Sequence, residues 1–323
     1  MKTVLLSAPY ILPFVGRFRP VFEHYEIELI LPEVHERLSE EEILRYAGKF
    51  DGTICGDDHY TEKAIQQCLP RLKVISKWGT GVDSINREAA VQYGVMVGNT
   101  PNAFTLPVSD SVMGYILAFA RRQPWMDREV KAGNWMKLPG RSLSETTIGV
   151  IGVGNVGKAV LRRARGFGAR LLGNDIRPIE PDFILENKIE MMDLKDLLEQ
   201  ADFVSVNCDL NPTSYHLINA ETLRWMKPTA VLINTARGPI IHEEALVAAL
   251  AEEKIAGAGL DVFEIEPLPA NSPLRDMDQV MLAPHNSNSS PEAWERVHWN
   301  TIRNLLIGLS IPCEDLAQFQ SLP

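Results

Sequence analysis

The chain has 323 residues, enough for two domains of ordinary size, and its 45% hydrophobic and 23% charged content is that of a globular protein. Lys and Arg number 32 against 42 Asp and Glu, a formal charge of −10 that argues against nucleic acid or an anionic membrane surface as partner, because phosphate binding needs clustered cations. A small anionic substrate is compatible with this charge, since a pocket is basic or acidic locally.

In chain order, the opening MKTVLLSAPYILPF is interrupted by Pro9 and Pro13 and followed by Arg17 and Arg19. KTVLLS therefore reads as a strand rather than as the apolar segment of a signal peptide. YEIELIL, DGTICG, LKVIS and VMVGN follow as short β-rich runs. Between them lie helical stretches: SEEEILRYA, with Ser39 and Glu42 at capping-box spacing, and SINREAAVQYG, which stops at Gly94. A long apolar helical pattern then runs from about Ala103 to Arg121, and a second helix is predicted near 124–132. The longest apolar stretch, VMGYILAFA in the first of these, is about half a membrane span. A new alternation begins at TTIGVIGVGNVG and continues through ARLLGND, DFVSVN, AVLINTA, IAGAGLDV and QVMLA. A final helix is predicted to start at Ser290 and Pro291 and run to about Leu309. Alternating strands and helices predict an α/β protein with parallel sheets in two units. Cys55, Cys68, Cys208 and Cys313 form no C-x-x-C pair. Neither a disulfide framework nor a metal site is expected, and the cytoplasm is the simplest compartment.

GVIGVGNVGKAV (149–160) places Gly152, Gly154 and Gly157 as G-x-G-x-x-G between a β-branched strand and a helix. In that context the first glycine permits a tight turn, the second lets backbone approach a pyrophosphate, and the third lets helix and strand pack closely. The N–H groups of Asn155 and Val156, at the helix start, are the expected phosphate donors. Asp175 ends the next strand, eighteen residues beyond Gly157, where an acid accepts hydrogen bonds from the adenosine ribose. A 2′-phosphate at about 4 Å from this carboxylate would meet a repulsion of roughly 4 kcal/mol per charge pair, so NAD is favoured over NADP. Three later strand ends carry polar groups: INTARGP with Arg237, GLDVFEIEP with Asp261, Glu264 and Glu266, and APHNSN with His285. A guanidinium grips a carboxylate in a bidentate way, and a histidine beside a carboxylate exchanges protons as hydride moves. Small polar residues after His285 leave room beside it.

The stretches KWGTGVDSINREAA, NTPNAFTLPVSDSVMGYILAFAR, GVIGVGNVGKAV, MKPTAVLINTARGPIIHEEAL, GAGLDVFEIEPLP and APHNSNSS together resemble the D-isomer-specific 2-hydroxyacid dehydrogenase family over nearly the whole chain. The resemblance implies two Rossmann-like or flavodoxin-like domains. A discontinuous substrate domain would be built from 1–101 and 285–323, and an NAD-binding Rossmann domain from 102–284. It implies Arg237 as binder of the substrate carboxylate and carbonyl, His285 as acid and base, and Glu266 as partner of His285. It places Cys208, Thr235, Ala236 and Asp261 at the cofactor, Asp261 near the nicotinamide amide. Backbone N–H groups of Gly81 and Val82 would contact the substrate carboxylate. Lys77 stands where phosphoglycerate-type members carry a cation for the substrate phosphate. Gly56, where such members often have a second basic residue, is followed by Asp57 and Asp58. The substrate is therefore expected to be 3-phosphoglycerate or a smaller D-2-hydroxy acid such as glycerate or lactate, with hydroxypyruvate, glyoxylate or pyruvate in the reverse direction. A regulator similar to the C-terminal-binding-protein corepressors is the alternative of another class. Members usually pair as homodimers through the cofactor domain, so the segment Trp125–Trp135 is either the dimer surface or packed internally.

Overall fold

The structure, a computed structural model, describes residues 1–320 and divides into two compact units, Met1–Phe104 with the segment from Ser290, and Thr105–Ser289. Both are parallel α/β sheets flanked by helices, as the alternating pattern predicts. His285 and the loop around it fall inside the central unit, which closes at Ser289 rather than at 284.

In the first unit the strands are β1 (Lys2–Leu6), β2 (Ile27–Ile30), β3 (Gly52–Cys55), β4 (Val74–Lys77) and β5 (Met96–Gly98), in the order β2-β1-β3-β4-β5. The opening KTVLL is a central strand paired to both β2 and β3. β3 and β4 are buried at every position, Thr53, Ser76 and Lys77 included, as strands covered on both faces are, so neither alternates between a buried and an exposed face. One face is covered by Ile43, Phe50, Tyr60, Ile65 and Leu72. The long helix Pro291–Gly308 brings the chain back to this unit. Ser290 caps it by accepting the Ala293 N–H, with Pro291 in its first turn, and Val297, Ile302, Leu305 and Leu306 are buried along one stripe.

His298 lies in that stripe and is 4% exposed. Its Nδ1 accepts the Trp78 Nε1–H at 2.9 Å, and the rings of Phe14 and Phe18 lie against it. Burial pulls its pKa down to about 4, with Glu295 opposing and Arg17 assisting that shift. The unfolded chain thus takes a proton near pH 6.5 that the folded chain refuses until about pH 4. Stability from this group is fully present above pH 6.5 and is lost as the pH falls towards 4. Urea titrations at pH 7 and 4.5 should differ by about 2–3 kcal/mol from this site alone. His298→Gln, whose amide oxygen also accepts from Trp78, should flatten that difference. An unchanged pH slope in the variant would remove His298 as the cause.

The central unit holds β6 (Thr147–Ile151), β7 (Arg170–Asn174), β8 (Ile189–Met191), β9 (Phe203–Val206), β10 (Val231–Asn234), β11 (Gly257–Leu260) and β12 (Val280–Leu282). Their order is β12-β11-β10-β9-β6-β7-β8. The order reverses between β6 and β9, so loops at the carboxyl ends of these strands open onto the crevice where such sheets place ligands. Helix Thr105–Arg121 buries Val112, Tyr115, Ile116 and Phe119 against one face of the sheet, where Ile148, Val150 and Ile233 meet them. Helix Gln123–Lys131 follows it. Among the described residues no helix is long and apolar enough to cross a membrane, and no cluster of His, Cys, Asp and Glu could hold a metal ion.

Candidate active site

The glycine loop leaves β6 at Gly152, whose φ of +86° is open to glycine and strained for other residues. A Cβ there would lie 2.5 Å from the Cys208 amide nitrogen, so the loop after β6 runs flush against residues 207–208 beyond β9. Gly157, one turn into the helix Asn155–Gly166, passes so close to Gly152 that a Cβ would sit 2.0 Å from its carbonyl oxygen. Gly154, by contrast, faces open space within 4 Å, and no side chain caps the helix that starts after it. The close approach thus serves packing at two glycines and access at the third.

Polar groups around this loop fit a dinucleotide. Thr235 Oγ1, just past β10, and Asn207 Oδ1, just past β9, are buried without a hydrogen-bond partner among the described residues. Buried oxygens of that kind are ordinarily satisfied, and a polar ligand would complete them. Ala236 is half-buried, its N–H donating to Asn234 Oδ1 at 3.0 Å. Asp175 follows β7 with its side chain 6% exposed, accepting the Val153 N–H on Oδ2 and the Arg177 N–H on Oδ1, both at 2.8 Å. This carboxylate therefore also ties the glycine loop to the next strand, and each oxygen keeps a lone pair for a further donor. The Cys208 thiol is pushed up to about 11 by burial, so it stands as a small neutral group and not as a nucleophile.

Arg237, Glu266 and His285 are held by three neighbouring strand ends. His285 follows β12, and Glu266 lies on the turn after β11. His285 Nδ1–H donates to Glu266 Oε2 at 2.9 Å, and Glu266 Oε1 accepts the Phe263 N–H at 3.0 Å. An ionised carboxylate only accepts, so the ring proton belongs on Nδ1, leaving Nε2 to exchange a proton. Arg237 follows β10, and its Nη1 donates to the Ala236 carbonyl at 2.8 Å. The loop carrying Arg237 is pressed onto the turn carrying Glu266. A Cβ on Gly238 would lie 1.9 Å from both the carbonyl carbon and oxygen of Phe263. Asp261, 1% exposed, accepts the N–H groups of Asn286 at 2.8 Å and Ser287 at 2.9 Å, and its carbonyl accepts the His285 N–H. Both its carboxylate oxygens thus hold the His285 loop, a role its residue type did not advertise.

Two contacts absent from the sequence reading secure the same turn. His216 Nε2 and the Glu264 carboxylate hydrogen-bond across 48 positions of chain. The Glu264 N–H donates to Glu243 Oε2 at 3.2 Å, on a carboxyl group whose pKa burial raises. Only a histidine in an otherwise turn-like stretch, NPTSYHLIN, hinted at this in the sequence. Lys77, Gly81 and Val82 belong to the first unit, Lys77 at the end of β4 and the other two on the half-exposed turn that follows.

A glycine loop at the sheet's reversal, together with a histidine–carboxylate couple and an arginine on adjoining strand ends, defines a dinucleotide-dependent oxidoreductase. Residues 113–287 match the model of the D-isomer specific 2-hydroxyacid dehydrogenase, NAD binding domain. The chain belongs to that family and is an NAD-dependent oxidoreductase of 2-hydroxy acids. It is 42% identical over 275 residues to a glyoxylate reductase of Thermofilum pendens, covering 83% of this chain and 81% of that protein. It is 37% identical over 265 residues to a D-3-phosphoglycerate dehydrogenase of Methanocaldococcus jannaschii, covering 81% of this chain and 50% of that one. The D-lactate dehydrogenase of Aquifex aeolicus, solved with NAD and lactic acid, superposes with a TM-score of 0.83 at 25% identity, covering 98% of this chain and 97% of that one.

Proposed function

We propose that the chain interconverts a short D-2-hydroxy acid and its 2-keto acid, with Arg237, Glu266 and His285 as the catalytic residues. The observation that carries this reading is the His285–Glu266 hydrogen bond at 2.9 Å, which leaves Nε2 as the proton-exchanging atom. NAD, when bound, supplies or accepts the hydride at the C2 carbon of the acid. In the direction of reduction the Arg237 guanidinium pairs with the substrate carboxylate and polarises the carbonyl. His285 Nε2–H gives its proton to the carbonyl oxygen as C2 gains the hydride, and Glu266 stabilises the imidazolium before that transfer. In oxidation the neutral Nε2 takes the hydroxyl proton. Gly152, Gly154 and Gly157, with Asn155 and Val156, are assigned to the pyrophosphate, and Asp175 to the ribose. Cys208, Thr235, Ala236 and Asp261 complete the cofactor side. Lys77 and the N–H groups of Gly81 and Val82 are assigned to the substrate.

The test is a panel of glyoxylate, hydroxypyruvate, pyruvate and 3-phosphohydroxypyruvate, followed by the absorbance of reduced cofactor, with NADH and NADPH side by side. Turnover with NADH on at least one acid is expected. No turnover on any of them would favour a ligand-sensing regulator on this fold.

The four cysteines are all free. They suit a reducing compartment, and the cytoplasm is the proposed location. A homodimer is the proposed assembly. Trp125 packs internally, its ring 5.1 Å from Phe119 and its Nε1–H donating to the Asp278 carbonyl. Trp135, at the end of the segment, is 90% exposed and Met136, just beyond it, 53%, which supports this end as the pairing surface. Sedimentation velocity should give a dimer, and Trp135→Lys should shift it towards monomer. A wild-type monomer at micromolar concentration would remove the assignment.

A further inference from the structure

The strand order of the first unit reverses between β1 and β3, and open parallel sheets offer a ligand crevice at the carboxyl ends of the strands flanking such a reversal. Here the chain places Ser7 after β1, Asp57 and Asp58 after β3, and Lys77 at the end of β4. The Lys77 side chain is 5% exposed, with Nζ 3.1 Å from Asp57 Oδ1 and donating to the Trp78 carbonyl at 3.0 Å. A Cβ on Gly79 would lie 3.5 Å from that nitrogen, so the ammonium sits beside the loop that bears Gly81 and Val82. Asp58 is closed off, accepting the Ser7 hydroxyl and the Leu38 N–H, and burial lifts its pKa to about 6. Asp57 is different: its side chain is 33% exposed. Tyr10 stacks on Trp78 at 4.7 Å, and Trp294 stands edge-on to Trp78 at 6.0 Å, forming an aromatic wall on the ring that follows Lys77.

We propose that Asp57 determines substrate choice by neutralising Lys77, so that this site accepts the tail of a short, unphosphorylated 2-keto acid and rejects a phosphate ester. The proposal rests on the reading of Lys77, Gly81 and Val82 as substrate contacts. An unpaired ammonium is a point charge that a phosphate dianion seeks. In this chain the pair carries no net charge, and two of the three donors on Nζ are already engaged. A dianion drawn to Nζ would bring its oxygens beside the Asp57 carboxylate, with a second carboxyl group close behind in Asp58. A neutral hydroxyl or a bare carbon meets no such opposition. A hydroxyl would in addition find the partly exposed Asp57 carboxylate as acceptor.

The experiment compares kcat/KM for hydroxypyruvate and for 3-phosphohydroxypyruvate, which differ only in the phosphate, using the full chain and NADH. Wild type is expected to favour hydroxypyruvate by about tenfold or more, the effect of one partly desolvated charge. Asp57→Asn keeps the shape and removes the charge. It should raise the ratio of phosphorylated to unphosphorylated kcat/KM by about tenfold, mainly through KM of the phosphorylated acid. Adding Lys77→Met to that variant should cancel the gain. A wild type that prefers the phosphorylated acid, or a ratio unmoved in Asp57→Asn, overturns the proposal. Should Asp57→Asn not fold, the wild-type preference and Asp57→Ser decide the matter by the same ratio. Absence of turnover on both acids overturns the proposal, and the underlying reading of the site falls with it only when glyoxylate and pyruvate are not turned over either.

Discussion

His285→Ala is expected to lower kcat by about 10²–10⁴-fold while NADH affinity stays within about twofold of wild type. The substitution deletes the atom assigned to proton exchange, yet leaves the backbone hydrogen bond from residue 285 to the Asp261 carbonyl. Asp261 also continues to hold the N–H groups of Asn286 and Ser287, so the loop keeps its course. Glu266 loses the imidazole but retains the Phe263 N–H on its other oxygen. Single-turnover absorbance of NADH reads the chemical step, and quenching of protein fluorescence reads cofactor binding. Loss of NADH binding together with turnover would show that the ring supports the fold and does not carry the proton.

Gly238→Ala should reduce kcat/KM by about 10²-fold through a single added methyl group. The position has no side chain to lose, and the atoms its Cβ would strike, at 1.9 Å, belong to the Phe263 backbone. Backbone yields far less readily than a side-chain tip, so the Arg237 loop and the Glu266 turn must part. A displacement of about 1 Å at a catalytic group is enough for a loss of this size. Secondary structure by circular dichroism should be retained, because Gly238 lies outside the strands of the sheet. Wild-type kinetics in this variant would mean that the two loops are positioned independently.

The parts of this molecule that were legible in the sequence are those whose physics is local. Ser39 with Glu42, Ser290 with Pro291, and the three glycines of 152–157 announce caps and turns within a few residues, and the structure has them there. Buried parallel strands such as β3, β4 and β9 were equally plain as short β-rich runs. β8 escaped because the charged, exposed Glu190 stands at the centre of its three residues, Ile189–Met191, and breaks the β-rich pattern there. What could not be read was pairing across the chain. Asp261 is an acid at a strand end like many others until residues 286 and 287 present their N–H groups to it. His216 gains its meaning from Glu264, and Gly238 from Phe263. Asp57 and Lys77 were recognisable as an awkward mixture of charges, but a list of residues does not say that their side chains meet.

His285 has a φ of +51°, a left-handed conformation that costs a residue bearing a Cβ roughly 1 kcal/mol. Thermostability and chemistry therefore pull in opposite directions at this one position. Glycine would relieve the torsion, and a selection for heat resistance alone would drift towards it, enriching hardier proteins that have lost the imidazole proposed as proton donor. Directed evolution of this scaffold needs a turnover screen in every round.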